Sequence, residues 1–460
     1  MSWGTVKIPP PLEQFQAERS SQSGKSARTL TDYLHSIFAG FDFKPFRWYM
    51  GAMIWWNAAI SMQMLVRGYL AFNLTGDFRA LGVVGLGSAV PMLLLAPFGG
   101  VIADRTSKRF VLQVGQFFSA LLALAMGLLL FASALQFWHL IAAACVHGLM
   151  MALVMPSRQA FLPEVVGLKR LMNVIPLQSA GMNLMQIMAP TVGGFMIDWI
   201  GAGYVYVVMA FMYLMSVVML FRVKSLSFEE QEASRKGMPS ADEKPIGNQG
   251  RRSGSADGAS HSTLADLRSG IAYIFADRTM LVILSFAFIG SMLGMPIRNL
   301  LPGYAAEVFG DSGSTLGLLQ MGMGVGALFG ALALAGLRIT RRRGLLYAAS
   351  AIVIGLAMLG FSATNIFIVG WFGLLLIGIG SAGRQSLSAV LTQEYVRDEF
   401  RGRVMAIYMM QFSSMSLVTF FISLYMEAVD PQFAIGSIGV LLIAATLLYL
   451  LLVPRFRQIR

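Results

Sequence analysis

Two arginines, Arg67 and Arg298, lie inside long apolar runs of the chain, where an ionisable side chain is a functional hypothesis by default. Arg67 follows Arg47 by 20 residues, and Arg298 follows Arg278 by the same 20. Two guanidinium groups that converge would bind an anionic ligand such as a carboxylate, catecholate or phosphate. The alternative is that both long side chains extend to the interface at the outer face of the membrane and contact no ligand.

Further polar and aromatic candidates occur in the same apolar runs. Trp56, Gln63 and Arg67 are spaced seven and then four residues apart, which places them on one face of a helix. His147 is the candidate proton carrier by residue type, and its alternative is a purely structural role in a helix. Four amides either orient a substrate or hydrogen-bond between helices: Asn183, Gln186, Gln320 and Gln411.

Membrane-crossing helices must position these residues. The chain has 460 residues, of which 56% are hydrophobic and 13% charged. Twelve segments are apolar and long enough to cross a hydrocarbon core of about 30 Å. We predict spans at 48–72, 80–102, 110–132, 138–155, 172–197, 204–221, 280–300, 315–337, 345–361, 366–382, 404–426 and 433–453. The sequence therefore predicts an all-α membrane protein with twelve transmembrane helices.

The positions of Lys and Arg orient these spans. The net charge is +12, and loops and termini on one side of the predicted spans hold 32 of the 35 Lys and Arg residues. Because basic residues near short loops stay inside the cell, both termini are predicted to be cytoplasmic, in a bacterial cytoplasmic membrane. The basic charge thus reflects topology and contact with membrane lipids, and we expect no nucleic-acid partner.

The chain divides into two halves of six spans. We predict a cytoplasmic segment at 1–46, a first six-helix bundle at 47–222, a partly disordered cytoplasmic linker at 223–263, a surface helix with a second bundle at 264–453, and a cytoplasmic tail at 454–460. Arg158 with Glu164 after the fourth span resembles Arg384 with Glu394 after the tenth. Such matched pairs indicate an internal duplication, which is common in transporters.

A polar turn between the second and third spans carries a short motif. Its distinctive residues are Gly100, Asp104, Arg105, Lys108 and Arg109. The motif resembles the signature loop of the major facilitator superfamily, although Ser107 stands where that family usually has Gly. The resemblance implies two pseudo-symmetric six-helix bundles that rock around a central cavity.

The same resemblance implies a set of gating residues. Asp104 would face the positive amino end of the eleventh span, near Arg401 and Arg403, when the cytoplasmic side is shut. The neighbouring cations of the turn would hold carbonyl groups or acids. Arg158 and Arg384, in the matched segments after spans four and ten, complete this predicted set.

Two further motifs bear on transport direction. Pro190, Gly193 and Gly194 in the fifth span partly resemble a motif of superfamily exporters, in which Pro and small residues allow a helix to bend and slide. The alternative is a packing kink without directional meaning. The segments 156–163 and 398–404 together resemble the branch that contains the enterobactin exporter and macrolide-efflux proteins.

These resemblances imply a secondary transporter that exports an amphipathic small molecule of drug or siderophore type by alternating access. Proton antiport, a monomeric state and the absence of any cofactor or metal are expected. One alternative is an organic-anion or lysolipid transporter, or flippase, that uses Arg67 and Arg298, and a remote one is a non-transporting receptor. A membrane enzyme is disfavoured because the sequence shows no phosphate-binding loop, metal cluster or nucleophile–base set.

Overall fold

The computed structural model describes residues 43–223, 262–310, 312–336, 343–453 and 456. Within these ranges, side chains are described except at 96–105, 168–169, 172–173, 262–268, 335–336, 398, 406 and 412–413. Most of the predicted amino-terminal segment, linker and carboxyl-terminal tail therefore lie outside the described residues. The side chains of Asp104 and Arg105 and the contacts of Gly100 also lie outside the described residues.

The described chain is helical throughout its length. Its α-helices are α1 Lys44–Thr75, α2 Phe78–Arg105, α3 Lys108–Phe131, α4 Phe137–Val166, α5 Leu168–Ile200, α6 Ala202–Phe221, α7 Ser262–Ala276, α8 Arg278–Gly294, α9 Ile297–Phe309, α10 Gly313–Gly336, α11 Arg343–Ser362, α12 Phe367–Tyr395, α13 Arg401–Ala428 and α14 Pro431–Leu452. A single 3₁₀ turn, Asp398–Phe400, precedes α13.

Local sequence explains where several helices begin and end. The helix α1 ends at Gly76, whose φ of 66° is readily adopted by glycine alone. Asp277 and Asp430 precede α8 and α14, and each side chain accepts hydrogen bonds from two backbone N–H groups of the first turn. These are ordinary N-caps, which satisfy donors that have no partner inside the helix.

Each predicted span corresponds to a helix, and the seventh is divided into α8 and α9 at Met295 and Pro296. Length and hydropathy alone identify ten crossings in the described chain, with α8 and α9 counted together. The two other spans are α1 and α5, of 32 and 33 residues, which contain more polar side chains. They pack against each other inside the same bundle, and the all-α membrane fold is confirmed.

The helices that contain the fourth and tenth predicted spans extend well past residues 155 and 382. The helix α4 continues to Val166 through Pro156 and Pro163, and α12 continues to Tyr395. The reason is that Arg158 and Arg384 are accommodated inside the bundle by side chains of neighbouring helices, as described below. These arginines therefore need no aqueous loop, and the helices extend past them.

The two halves repeat one packing scheme. In the first half α2 packs on α4 and α3 on α6, and in the second half α10 packs on α12 and α11 on α14. The contacts between halves repeat as well, because α5 crosses to α10 and α13 crosses to α2. The prediction of two pseudo-symmetric six-helix bundles is confirmed.

The connectivity gives the bundle two distinct ends. We call the end where α6 stops and α8 starts the linker end, and the opposite end, where α1 turns into α2 and α5 into α6, the far end. Helices of each half alternate in direction between these ends.

Candidate functional site

A cavity of about 180 Å³ lies between the two halves and contains both arginines that the sequence singles out. Arg67 reaches it from α1, and Arg298 reaches it from α9. Other polar lining residues come from α2, α9, α10 and α13: Ser88, Asn299, Gln320 and Ser416. The described lining contains no Asp or Glu, so the cavity presents two cations without a counter-charge.

Both arginines lie well inside their helices. Arg67 lies eight residues before the end of α1, and Arg298 lies eleven before the end of α9. At a rise of 1.5 Å per residue these positions are about 12 and 16 Å from the far end. Both side chains line the cavity there, between the two halves.

Groups of the first half surround Arg67 on the side away from the cavity. Tyr206 and Tyr213 of α6 lie within electrostatic range of its guanidinium group, and so does His147 of α4. The Nη1 atom of Arg67 is buried and has no hydrogen-bond partner among the described residues. A buried cation that lacks a partner is costly, and an anionic ligand would offset that cost.

A second cavity of about 110 Å³ adjoins the first. Arg298 and Gln320 line both cavities and therefore form the wall that the two share. Gln186, another of the predicted candidates, lines the second cavity from α5. The structure thus brings four predicted side chains to the two cavities: Arg67, Gln186, Arg298 and Gln320.

The other predicted contact residues lie elsewhere. The Gln63 side-chain oxygen accepts a hydrogen bond of 2.7 Å from the Tyr213 hydroxyl, so this amide joins α1 to α6. Gln411 is buried in α13 and lines neither of the two cavities. Asn183 is exposed on α5, and His147 is buried behind Arg67, with no described hydrogen-bond partner at Nδ1.

Arg158 lies inside the first half, although the sequence assigns it to a gating loop. Its guanidinium group stacks over the Trp56 ring at 4.9 Å, and its Nη1 atom lies 3.9 Å from the Met182 sulfur. The Tyr49 hydroxyl is within electrostatic range. Trp56 is 2% exposed, so it forms the floor under this cation and does not line a cavity between the halves.

Arg384 occupies the matching place in the second half. It is 2% exposed, its Nε atom has no described hydrogen-bond partner, and the Tyr347 and Tyr408 hydroxyls lie within electrostatic range. A Cβ atom on Gly290 of α8 would lie 3.0 Å from the Arg384 Cδ atom, so that glycine makes room for the side chain. Both arginines thus contact groups of their own halves, and α4 and α12 extend past them.

Ion pairs hold the linker end within each half. The Lys108 ammonium pairs with Glu164 and joins α3 to α4, while Arg343 pairs with Glu394 and joins α11 to α12. The two pairs occupy corresponding places in the repeat. Arg109 donates hydrogen bonds to the backbone carbonyls of Phe221 and Val223 at the end of α6, at 2.5 and 3.0 Å.

Only part of the predicted gate can be located. Arg403 lies at the start of α13, where its guanidinium group is 5.6 Å from the centre of the Phe400 ring, and Arg401 is exposed beside it. The Asp104 side chain that would face this helix end lies outside the described residues. The contact between Asp104 and the start of α13 therefore stays a prediction.

At the far end the helices α5 and α10 touch through their backbones. A Cβ atom on Gly194 would lie 2.2 Å from the Gly313 carbonyl oxygen, which no side chain permits. One turn away, a Cβ atom on Gly317 would lie 3.0 Å from the Pro190 carbonyl oxygen. Gly193 faces α1 instead, where Met62 fills the space beside it.

Two carboxylates that sequence reasoning did not select complete this far-end contact. Asp198 at the end of α5 accepts hydrogen bonds of 2.7 and 2.9 Å from the backbone N–H groups of Gly313 and Ser314 at the start of α10. Glu427 at the end of α13 accepts one of 2.9 Å from the backbone N–H group of Phe78 at the start of α2. Each acid therefore caps a helix of the opposite half.

The chain is similar to several known transporters. A family model described as Major Facilitator Superfamily matches residues 48–420. A staphyloferrin A transporter from Staphylococcus aureus (strain NCTC 8325 / PS 47) is 22% identical over 375 residues, which are 80% of this chain and 86% of that protein. A solved POT family transporter in complex with 5-aminolevulinic acid has a TM-score of 0.65 at 12% identity, covering 89% of this chain and 96% of that one. A D-xylose-proton symporter has a TM-score of 0.59 at 15% identity, with 91% and 97% covered.

Proposed function

Because the chain belongs to the Major Facilitator Superfamily and is a multi-pass membrane transporter, not an enzyme, we propose that its substrate is an amphipathic organic anion. Arg67 and Arg298 bind the anionic group between the two halves, and alternating access carries it across the bacterial cytoplasmic membrane. The remaining cavity wall, which includes Met64 and Met415, accepts the apolar part of the substrate.

The single observation that carries this proposal is the pair of arginines in one cavity whose described lining has no acid. One guanidinium comes from each half, so a bound carboxylate or phosphate contacts both halves at once. Such a ligand neutralises charge that has no partner among the described residues, since Arg67 Nη1 is buried without one. The similarity to a protein named for staphyloferrin A transport supports a discrete small molecule as the cargo.

Export remains the proposed direction, supported by the resemblance of the fifth span to superfamily exporters at Pro190, Gly193 and Gly194. The charges near Arg67 limit how transport of an anion could be coupled to protons. Antiport requires that a bound proton weakens substrate binding, but a proton on His147 would add positive charge beside Arg67 and strengthen anion binding. We therefore propose that export of the anion is driven by the membrane potential, worth about 2.3 kcal/mol per charge per 100 mV, and not by proton antiport through His147.

Transport into proteoliposomes tests the proposal. The probes are hippurate and staphyloferrin A as candidate anions and a macrolide as a molecule without an anionic group. We expect uptake of at least one anion, and a loss of about tenfold or more for Arg67→Gln and for Arg298→Gln, since each removes a charge-assisted contact. Arg79→Gln is the matched control because Arg79 is an exposed arginine near the far end, beside Asp77.

Two results would contradict the proposal. One is uptake of the macrolide alone. The other is anion uptake that Arg67→Gln and Arg298→Gln leave at the rate of Arg79→Gln. The energy source is read in the same vesicles, since a potassium diffusion potential at equal pH should drive anion uptake. A pH gradient at zero potential should not.

A further inference from the structure

We infer that the substrate carries an uncharged hydrogen-bonding arm beside its anionic group, and that the second cavity is the subsite for this arm. The inference rests on the proposed function, because it assumes that the anionic group binds at Arg67 and Arg298. It adds a compartment, its lining residues and the chemical class of the group that occupies it.

The position of the second cavity fixes how one ligand would occupy both. Arg298 and Gln320 line the two cavities and form their shared wall. A ligand whose anionic group contacts Arg298 from the first cavity therefore lies against side chains that also line the second. The smaller volume, about 110 Å³ against about 180 Å³, fits an arm and not a second complete ligand.

The lining of the second cavity selects a neutral polar group. Besides the shared wall it contains the carboxamides of Gln186 from α5 and Gln385 from α12, and the hydroxyl of Ser381. A carboxamide both donates and accepts hydrogen bonds, so it complements an amide or a hydroxyl group. An ammonium group is disfavoured there because it would lie beside the guanidinium of Arg298.

Two thioethers form the apolar part of the same compartment. Met295, at the break between α8 and α9, and Met323 of α10 both line it. Methionine is flexible and fills irregular space, so these side chains adapt to the carbon atoms of an arm. The compartment therefore combines adaptable apolar walls with three hydrogen-bonding side chains that fix the polar group.

Most of the lining of this compartment comes from the second half of the bundle. Gln385 follows Arg384, and its counterpart in the first half is Gln159, which follows Arg158. Gln159 is exposed and lines neither cavity. A ligand that fits this shape is asymmetric, with its charge between the halves and its arm directed toward the second half.

Binding of two isosteric carboxylates tests the inference. Hippurate carries an amide between its ring and its carboxylate, and 4-phenylbutyrate replaces that amide with two methylene groups. Calorimetry on the purified full-length protein gives the ratio of the two affinities. We expect the wild-type protein to prefer hippurate by about tenfold, and Gln385→Leu and Gln186→Leu each to bring the ratio toward one, since each variant removes a hydrogen-bonding partner of the amide.

Matched variants distinguish a failure of the subsite from a failure of the proposed function. Gln159→Leu makes the same change at the exposed counterpart and should keep the wild-type ratio, and melting temperatures identify any variant that is misfolded. If Arg67→Gln weakens both ligands while Gln385→Leu and Gln186→Leu keep the ratio, the subsite is overturned and the proposed function stands. If Arg67→Gln weakens neither ligand, the proposed function fails and the subsite fails with it. If neither ligand binds, the subsite is overturned, and the transport assay decides the proposed function.

Discussion

The far end and the linker end of the bundle are held by different kinds of contact. At the far end, Asp198 and Glu427 each cap a helix of the opposite half, and α5 touches α10 at Gly194 and Gly313. At the linker end, the ion pair of Lys108 and its counterpart in the second half each lie within one half. Rocking of the halves must therefore break the far-end contacts, whereas it can leave these ion pairs intact.

The far end is shut in this structure, and its closure depends on contacts of the backbone. Caps and glycine contacts require a helix start and a helix wall at a fixed separation, so they form together or not at all. Ion pairs within a half stiffen that half through either state. We therefore expect the far-end contacts to set the balance between states, and the ion pairs to set the stability of each bundle.

The largest expected effect comes from a side chain at the glycine contact. Gly194→Ala places a Cβ atom 2.2 Å from the Gly313 carbonyl oxygen, so the far end cannot close as it does here. We expect the separation of spin labels at Ala134→Cys and Ala363→Cys, both exposed at the far end, to increase in a Cys145→Ser background. Transport should fall by about tenfold or more, since the closed state is part of the cycle.

The control is Gly360→Ala, because a Cβ atom there has nothing within 4 Å. An unchanged label separation in Gly194→Ala would mean that α5 and α10 can separate slightly without opening the far end. The glycine contact between α5 and α10 would then not control closure of the far end.

The next effect is that of the caps. Asp198→Ala and Glu427→Ala each remove a cap between halves, typically worth about 1 kcal/mol, so each should shift the closed-to-open ratio about fivefold. The double variant should shift it by the product of the two. Pulsed measurement of the same label separation gives the populations.

Asp430→Ala is the matched control for the caps. Asp430 is also a carboxylate that caps a helix at the far end, but its bonds to Gln432 and Phe433 stay within the second half. If it shifts the populations as much as Asp198→Ala does, general loss of a carboxylate or of helix stability explains the effect, and the role of contact between halves is refuted.

The smallest effect belongs to the linker end. Lys108→Ala and Arg343→Ala each break a partly exposed ion pair within one half, which is typically worth less than about 1 kcal/mol. We expect a modest fall in melting temperature and no change in the label separation. A change of label separation as large as that of the cap variants would show that the linker end also controls the balance of states.

Much of the fold can be predicted from the sequence because each span needs only a long apolar run. The polar content of α1 is tolerated for a tertiary reason, since Gln63 bonds Tyr213 and Arg67 faces a cavity. The continuation of α4 through Pro156 could not be read from the sequence, because it depends on neighbours that shelter Arg158.

The candidate site, too, could be predicted only where its residues carry a local signal in the sequence. Arg67 and Arg298 stand out because a charge in an apolar run is rare, and their equal spacing from Arg47 and Arg278 links them through the repeat. Gln385 and the far-end caps carry no such local signal. Asp198 and Glu427 are 229 residues apart, close to the 231 that separate the two arginines, and that spacing was the available sign of a matched pair.

The central claim is that Arg67 and Arg298 bind the same anionic group, one from each half. A double-mutant cycle measures this directly: hippurate affinity is determined by calorimetry for the wild-type protein, Arg67→Gln, Arg298→Gln and the double variant. We predict that the losses are not additive, with a coupling energy of about 0.5–3 kcal/mol, as for two groups that share one partner. Additive losses, or a loss in one single variant alone, would contradict the claim.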